Sequence, residues 1–228
     1  MADESDRHSK ADSAAVINDP DELAKAEALN ALRQFDMVSQ MIDAHLQPDR
    51  PFNLRPSMIM SLHRIALEGI NSFAGIYRPA GIEIGGSKHT PPNAHLVPSF
   101  VEEMCDYVNQ QWSERSALHL AAYVMWRLNW IHPFSDGNRR TSRLISYLVL
   151  CLRLGYRLPG TNTIPAQIAE NKKPYYEALE LADLAAAEGR IDLYKLEELL
   201  GDYLSVQLVG IYKNARGENC VGQAEKLH

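Results

Sequence analysis

Apolar residues recur at spacings of three and four positions along most of the chain, and this spacing is typical of helices that bury one face. The first such segment begins at Asp19-Pro20, where proline and acidic residues favour a helix start, and it continues for roughly 25 residues. Its expected inner face consists of Leu23, Ala26, Leu29, Leu32, Phe35, Val38 and Ile42. Further helices are predicted to open after Pro56, to cover about 98–112, 115–131, 165–187 and 192–212, and to run from near Asn138 to just before Gly155.

One segment interrupts this helical pattern. Residues 75–98 are rich in glycine and proline, and Ile82, Glu83 and Ile84 alternate apolar and polar side chains between them. This combination predicts a short hairpin or an extended flap. The fold class predicted from the whole pattern is therefore mostly α-helical, with one short β-hairpin flap.

The two ends of the chain differ from its middle. Residues 1–18 are rich in Asp, Ser, Lys and Ala, which predicts a disordered lead. A separate N-terminal helix is expected within 19–50, the main domain within 51–212, and a flexible polar tail over 213–228.

Composition narrows the classes of function. The formal net charge of -6 argues against general nucleic-acid binding, which needs a basic face. There is no run of about 18 apolar residues and no apolar signal segment, so a cytoplasmic protein without a membrane span is expected. The three widely spaced cysteines, Cys105, Cys151 and Cys220, are interpreted as reduced thiols.

The residues with the clearest chemistry lie in one segment, 131–143, between two predicted helices. His132 is the residue there whose ordinary pKa suits taking a proton from a hydroxyl near neutral pH. Asp136 is suited to hold a divalent cation that bridges phosphates, and Gly137 lets the backbone approach a phosphate closely. The next helix begins near this point, so its N-terminus offers backbone N–H groups to an anion. Arg140 and Arg143 are three residues apart and can reach the same anion.

Simpler interpretations of the same residues remain open at this stage. Asp136 is also a suitable helix cap, and the two arginines could pair with surface acids. A metalloenzyme would have to use some of the histidines outside or within the segment, namely His63, His89, His95, His119 and His132. They have no HExxH or comparable ligand spacing.

The segment resembles the signature of the Fic (filamentation induced by cAMP) family, HPFx(D/E)GN(G/K)R followed three residues later by a second Arg. The matching residues are His132, Pro133, Phe134, Asp136, Gly137, Asn138, Arg140 and Arg143. The similarity extends to the Gly75–Arg78 and Ile82–Ser87 segments and to Lys173–Leu179, so that it covers roughly residues 20–210. It implies a helical core in which the signature joins two buried helices below a β-hairpin flap.

The resemblance also implies an activity, the transfer of AMP from ATP to a Ser, Thr or Tyr hydroxyl of a target protein. On this chain it makes His132 the general base and Asp136 the ligand of Mg²⁺. It implies that Gly137, Asn138 and nearby backbone amides bind the phosphates and that Arg140 binds the γ-phosphate. Arg143 would support that end of the nucleotide or orient Asp136. Ile82, Glu83 and Ile84 would receive an extended target segment, and Tyr175 or Tyr176 would contact the adenine.

Two positions depart from the family pattern. Arg139 stands where the family has Gly, or Lys in the death-on-curing branch, so it adds a cation near the phosphates and leaves phosphoryl transfer as an alternative. Of the inhibitory pattern (S/T)xxxE(G/N), the segment around Glu27 matches only the Glu, because Leu23 and Ala28 do not fit the flanking positions. A second near-match around Glu218 lies in a poor helix former. Pairing of Glu27 with Arg140 is the resulting hypothesis. A nucleotide-binding module without turnover is a third alternative, and self-association is left open.

Overall fold

Eight α-helices and two three-residue strands form the part of the chain that the computed structural model describes, residues 8–10 and 15–216. In chain order they are β1 (His8–Lys10), α1 (Pro20–His45), α2 (Pro56–Leu67), β2 (Glu83–Gly85), α3 (Val97–Gln110), α4 (Ala117–Ile131), α5 (Asn138–Leu154), α6 (Ile164–Glu170), α7 (Lys173–Ala187) and α8 (Tyr194–Ala215). A 3-10 turn, Ala94–Leu96, precedes α3.

Helices α4 and α5 form the centre of the core and pack against each other. The sequence of α4 is apolar nearly all round, and such helices are buried on every side. Helices α1 and α2 pack on α5, whereas α3, α7 and α8 pack on α4. Ser116 caps the start of α4 by accepting a hydrogen bond from the backbone N–H of His119 at 3.0 Å, and Gly155 ends α5 in the left-handed conformation. These two caps define the outer ends of the unit in which α4, a short loop and α5 follow one another.

The face that α1 turns to the core differs from the predicted one in its first half. Leu29 and Leu32 are mostly exposed, while Asn30 and Gln34 are buried. The reason is that α1 packs on α2, and these two amide side chains bond backbone carbonyls within α2 and just after it. The Asn30 side chain donates to the Glu68 carbonyl at 2.8 Å, and that of Gln34 donates to the Leu62 carbonyl at 2.9 Å.

The predicted hairpin is wrong in its pairing. Strand β2 lies in the expected flap, but its partner among the described residues is β1, in an antiparallel arrangement. Ala15 forms a further isolated bridge with Asn71. Of the lead expected to be disordered, 1–18, the structure describes 8–10 and 15–18, while 1–7 and 11–14 lie outside the described residues. Its disorder stays a prediction.

Two helix boundaries also correct the predictions. The segment expected as one helix over 165–187 is divided into α6 and α7, since Pro174 lacks the N–H that a continuous helix would need. Helix α8 extends to Ala215, into the segment expected as the tail. The rest of that tail, 217–228, includes Cys220 and lies outside the described residues. Cys105 and Cys151 are buried free thiols. No helix in the described part is long and apolar enough to cross a membrane.

Candidate active site

His132 ends helix α4 in a conformation that is uncommon for a residue with a side chain. Its φ is 51°, in the left-handed region, and its N–H still bonds the Leu128 carbonyl at 3.0 Å. The side chain is 3% exposed, and its Nδ1 lies 3.3 Å from the Asn129 carbonyl oxygen. A carbonyl only accepts, so this contact favours the proton on Nδ1 and leaves Nε2 as the atom that accepts a proton.

Arg78 holds His132 and the flap in one hydrogen-bond network. Its buried guanidinium donates from Nε to the His132 carbonyl at 2.7 Å, from Nη1 to the Ala80 carbonyl at 2.8 Å, and from Nη2 to the Pro92 carbonyl. Its backbone N–H bonds the Pro133 carbonyl at 2.9 Å. Burial lowers the pKa of Arg78, yet an arginine stays charged, so it supports the negative end of α4. Sequence reasoning placed Arg78 in a family-like segment without giving it a role.

The loop after His132 is closed by a side chain of the signature. Asn138 is buried, and its amide accepts from the Phe134 N–H at 2.9 Å and donates to the Phe134 carbonyl at 2.7 Å. Gly137 precedes α5 with a φ of 72°, and a Cβ there would lie 3.2 Å from the His63 ring. The exposed carboxylate of Asp136 accepts from the Gly137 N–H at 2.6 Å. The loop thus presents Asp136 outward at the start of α5.

His63 supports this loop from below, and sequence reasoning missed that role. Its ring stacks on Phe134 with a centroid distance of 3.6 Å and accepts at Nδ1 from the Gly75 N–H at 2.9 Å. The proton is therefore on Nε2, which donates to the Asp136 carbonyl at 3.0 Å. Burial lowers the pKa of His63 to about 4, so the ring is neutral at pH 7. The signal in the sequence was a histidine on the otherwise apolar inner face of α2.

The depressed pKa of His63 predicts a specific pH dependence of stability. Between about pH 6.5 and pH 4 the unfolded chain binds this proton and the folded chain does not, so stability falls as pH falls through that window. The contribution is about 3 kcal/mol of unfolding free energy. We expect His63→Gln to be less stable than wild type at pH 7, with most of that difference lost at pH 4 in urea unfolding. The exposed His95→Gln serves as the control, and a difference for His63→Gln that does not change with pH would contradict the assignment.

The cations of α5 face an acid from α1. The Glu27 carboxylate lies 3.1 Å from Arg140 Nη2, so the contact predicted between these two residues is present. The same nitrogen is 3.6 Å from an Asp136 carboxylate oxygen. Burial lowers the pKa of Arg143, and the neighbouring Arg139 and Arg140 contribute in the same direction. These like charges indicate a site that is suited to a multiply charged anion.

The residues predicted for the base, the metal ion, the phosphates and the inhibitory contact meet at one cavity of about 290 Å³. It is lined by Glu27, His132, Asp136, Gly137, Asn138, Arg139, Arg140, Arg143 and Lys172. Lys172 is the member that sequence reasoning missed, and its signal was the pair of lysines just before Pro174, where α6 and α7 separate. The Asn138 side chain is engaged with Phe134, so any phosphate it contacts would meet its backbone.

A larger cavity of about 1030 Å³ adjoins the first through Lys172 and is lined also by Tyr176, Glu180 and Gly86. Of the two tyrosines expected beside the adenine, Tyr175 or Tyr176, only Tyr176 lines this cavity. The Tyr175 ring is fully buried in the core and its hydroxyl accepts from the Asn129 amide at 2.8 Å. The Arg139 guanidinium contacts the Tyr176 hydroxyl, so Arg139 reaches towards α7 as well as lining the smaller cavity.

The three flap residues predicted to dock the target line neither of these two cavities. Ile82 and Ile84 are buried and Glu83 is exposed, and the three border a separate cavity of about 300 Å³ within the flap. Gly86, which follows β2, is the flap residue that lines the larger cavity.

The described residues do not form a metal site of His, Cys, Asp and Glu ligands, but Asp136 suits a single-carboxylate site. Within the described ranges, no group of three or more His, Cys, Asp and Glu side chains is placed to hold a metal ion. His63 and His89 instead bond backbone carbonyls, and His119 lies between Tyr107 and Glu197. Asp136 fits a different kind of site, because Mg²⁺ commonly takes one or two carboxylates and completes its shell with phosphates and water.

Comparison with known proteins places these features in a family. The Fic/DOC family model matches residues 53–150. A protein adenylyltransferase Fic from Drosophila willistoni is 32% identical over 158 residues, which are 68% of this chain and 29% of that protein. A Fic domain containing signaling protein from Bacteroides thetaiotaomicron shares the fold with a TM-score of 0.65 at 21% identity, over 84% of this chain and 74% of that one.

The N-terminal Fic domain of a putative cell filamentation protein from Bartonella quintana, solved with bound ADP, has a TM-score of 0.57 at 17% identity, over 84% of this chain and 91% of that one. The chain spans less than a third of the length of the Drosophila relative.

Proposed function

Because the chain belongs to the Fic/DOC family through its domain at residues 53–150, we propose that it transfers AMP from ATP to a Ser, Thr or Tyr hydroxyl of a target protein. The observation that carries this proposal is the convergence of His132, Asp136, Arg140 and Arg143 on one cavity at the start of α5. A proton acceptor, a carboxylate and cations at a helix N-terminus are the groups that phosphate chemistry needs.

In the proposed reaction, the target hydroxyl gives its proton to Nε2 of His132 while its oxygen attacks the α-phosphorus. The bond from that phosphorus to the oxygen bridging the α- and β-phosphates breaks, and pyrophosphate leaves. Little covalent chemistry falls to the protein, so positioning and charge neutralisation account for most of the catalysis. Since Arg78 fixes the His132 backbone and Asn129 orients its ring, the base is held before substrate arrives.

The nucleotide would occupy both cavities. The phosphates fit the smaller one, where the start of α5, Arg140 and Arg143 supply N–H donors and positive charge. The adenosine fits the larger one beside Tyr176, and Lys172 lies where the two meet. Asp136 would hold Mg²⁺, which when bound neutralises charge on the phosphates. The ADP bound to the Bartonella quintana domain supports nucleotide binding at this fold.

The target would dock as an extended segment on the flap, at Ile82, Glu83 and Ile84. Adding a strand to an exposed edge gives affinity through backbone hydrogen bonds, with little demand on sequence. Strand β2 is short and ends next to Gly86 at the larger cavity, which brings such a segment towards the nucleotide.

The test uses ATP labelled at either the α- or the γ-phosphate, together with Mg²⁺. The protein is the Glu27→Gln variant, because Glu27 contacts Arg140 and is proposed below to inhibit the reaction. We expect protein-bound label from the α-position alone, on the chain itself or on an added protein mixture. Label from the γ-position would instead establish phosphoryl transfer, the alternative that Arg139 leaves open. Measured ATP binding with no label from either position would indicate a nucleotide-binding module and would reject AMP transfer.

Glu27 is proposed to inhibit the reaction, because its carboxylate takes the place of a phosphate oxygen at Arg140. Asn30 and Gln34 fix α1 on α2, so Glu27 is held against Arg140 by bonds outside the site. We expect Glu27→Gln to raise the rate of AMP transfer and the affinity for ATP about tenfold, the effect of freeing one charged hydrogen-bond donor. Binding can be measured by calorimetry and transfer by the α-label.

Asp36→Asn is the matched control, because Asp36 is an exposed acid on the same helix and its loss changes the net charge equally. An equal gain in both variants would show a general charge effect, and no gain in Glu27→Gln would reject the inhibitory role.

A further inference from the structure

The edge of the flap strand is already occupied by the chain itself. Strand β1 pairs antiparallel with β2, with His8 opposite Gly85, Ser9 opposite Ile84 and Lys10 opposite Glu83. Glu83 and Ile84 are two of the three flap residues on which an extended target segment is proposed to dock. The backbone groups that such a segment would use are therefore engaged in a pairing within the chain.

A second contact holds the same N-terminal segment after β1. Ala15 forms a bridge with Asn71, and the Val16 N–H bonds the Ile70 carbonyl at 2.9 Å. The chain then enters α1, where Glu27 meets Arg140. The segment that pairs with the flap is thus tied at the end of α2 and continues directly into the helix that reaches the phosphate cavity.

The short tether gives this pairing an advantage over any separate peptide. Only residues 11–14 lie between β1 and the bridge at Ala15, and a short linker raises the effective concentration of the tethered segment to the millimolar range. A free peptide must exceed that concentration or bind more tightly to displace β1.

The part of the flap that follows β2, residues 89–92, is held by other contacts. His89 Nε2 bonds the Trp130 carbonyl at 2.8 Å, and the Pro92 carbonyl accepts from Arg78. The first contact attaches the flap directly to α4, and the second attaches it to Arg78, which also bonds the His132 carbonyl at the end of α4. In the described part of the chain, the edge facing β1 is thus the one at which the flap pairs with a strand.

We propose that residues 8–10 are a built-in competitor for the target-docking edge of β2, an inference that rests on the proposed function. An extended target segment must displace them before its hydroxyl reaches His132. Together with Glu27 at Arg140, the N-terminal region then restricts access of both substrates.

The experiment uses the full chain with two consecutive prolines, Ser9→Pro and Lys10→Pro. Successive residues of a strand alternate in their ladder bonds and proline has no N–H, so at least one bond to β2 is lost whichever way the alternation falls. The control carries Ala2→Pro and Asp3→Pro, which lie outside β1. We expect backbone hydrogen exchange at Glu83–Gly85 to accelerate about tenfold or more in the first variant and to be unchanged in the control. Unchanged exchange in both would overturn the proposal.

Competition is measured by the fluorescence anisotropy of a labelled peptide with the sequence of residues 5–13. We expect it to bind the Ser9→Pro/Lys10→Pro chain at least about tenfold more tightly than wild type or the control, because only that chain leaves the edge available. Equal affinity for the three chains, or no binding to any of them, would overturn the proposal.

Both measurements are independent of catalysis. If the proposed function fails, neither chain transfers α-label, while the exchange and peptide results stand as measured. If instead α-label is transferred but the exchange and affinities do not change, only the competition is rejected.

Discussion

Replacing His132 with alanine is expected to lower AMP transfer by about 10²–10⁴-fold, the range typical of a lost general acid–base group. The expected loss is confined to the chemical step. His132 is buried at the end of α4 with Nδ1 facing the Asn129 carbonyl, so its contribution is a preoriented Nε2 rather than a large contact surface. Arg140, Arg143 and the start of α5 remain, and the affinity for Mg-ATP is expected to stay near that of the parent chain.

The measurement compares Glu27→Gln with Glu27→Gln/His132→Ala, so that inhibition does not mask the difference. Transfer is followed with α-labelled ATP and binding by calorimetry. His95→Ala in the same background is the control, because His95 is exposed on the turn before α3. A double variant that keeps its transfer rate would remove His132 from the reaction. One that loses ATP binding together with transfer would show that His132 serves the binding of nucleotide instead.

The helical fold and most of the site could be predicted because their determinants are local in sequence. Helix α5 begins at Asn138 since Gly137 takes a left-handed conformation and the loop bonds of Asn138 are to Phe134, four residues away. The signature therefore contains both the chemical groups and the residues that shape their loop. The placement of His132, Asp136 and Arg140 around one cavity follows from that short segment.

The wrong, missing or undecided predictions depend on contacts between distant residues. Tyr175 and Tyr176 are neighbours with similar chemistry, and only the packing of α7 on α4 decides which of them is buried. Likewise, β2 was expected to pair locally, but its partner lies more than 70 positions earlier in the chain. The burial of Asn30 and Gln34 depends on the carbonyls of Leu62 in α2 and of Glu68 just after it, which no apolar periodicity reveals.

Arg78 is the most consequential of the residues that the pattern left without a role, and its replacement by lysine is expected to lower kcat about 10²-fold. Its guanidinium donates in separate directions to the carbonyls of His132, Ala80 and Pro92. A lysine keeps the charge but has a single ammonium, which cannot hold all three acceptors in the geometry of the planar fork. In the lysine variant, no single side chain then bonds the His132 backbone together with Ala80 and Pro92, which lie on either side of β2 in the flap. A misplacement of about 1 Å at a reacting group costs rate on the scale of 10²-fold.

Arg78 is thus a positioning residue. The test must distinguish an effect on the placement of His132 from an effect on the stability of the fold alone. We expect Arg78→Lys to reduce kcat with little change in ATP affinity, because its contacts are with His132 and the flap rather than with the phosphate cavity. Arg64→Lys, at an exposed site on α2, is the matched control and should leave kcat unchanged. If Arg78→Lys only lowers the free energy of unfolding and the folded protein keeps its kcat, then His132 holds its left-handed conformation without the guanidinium. In that case the bonds of Asn138 to Phe134 and of the His132 N–H to Leu128 are sufficient to place the base.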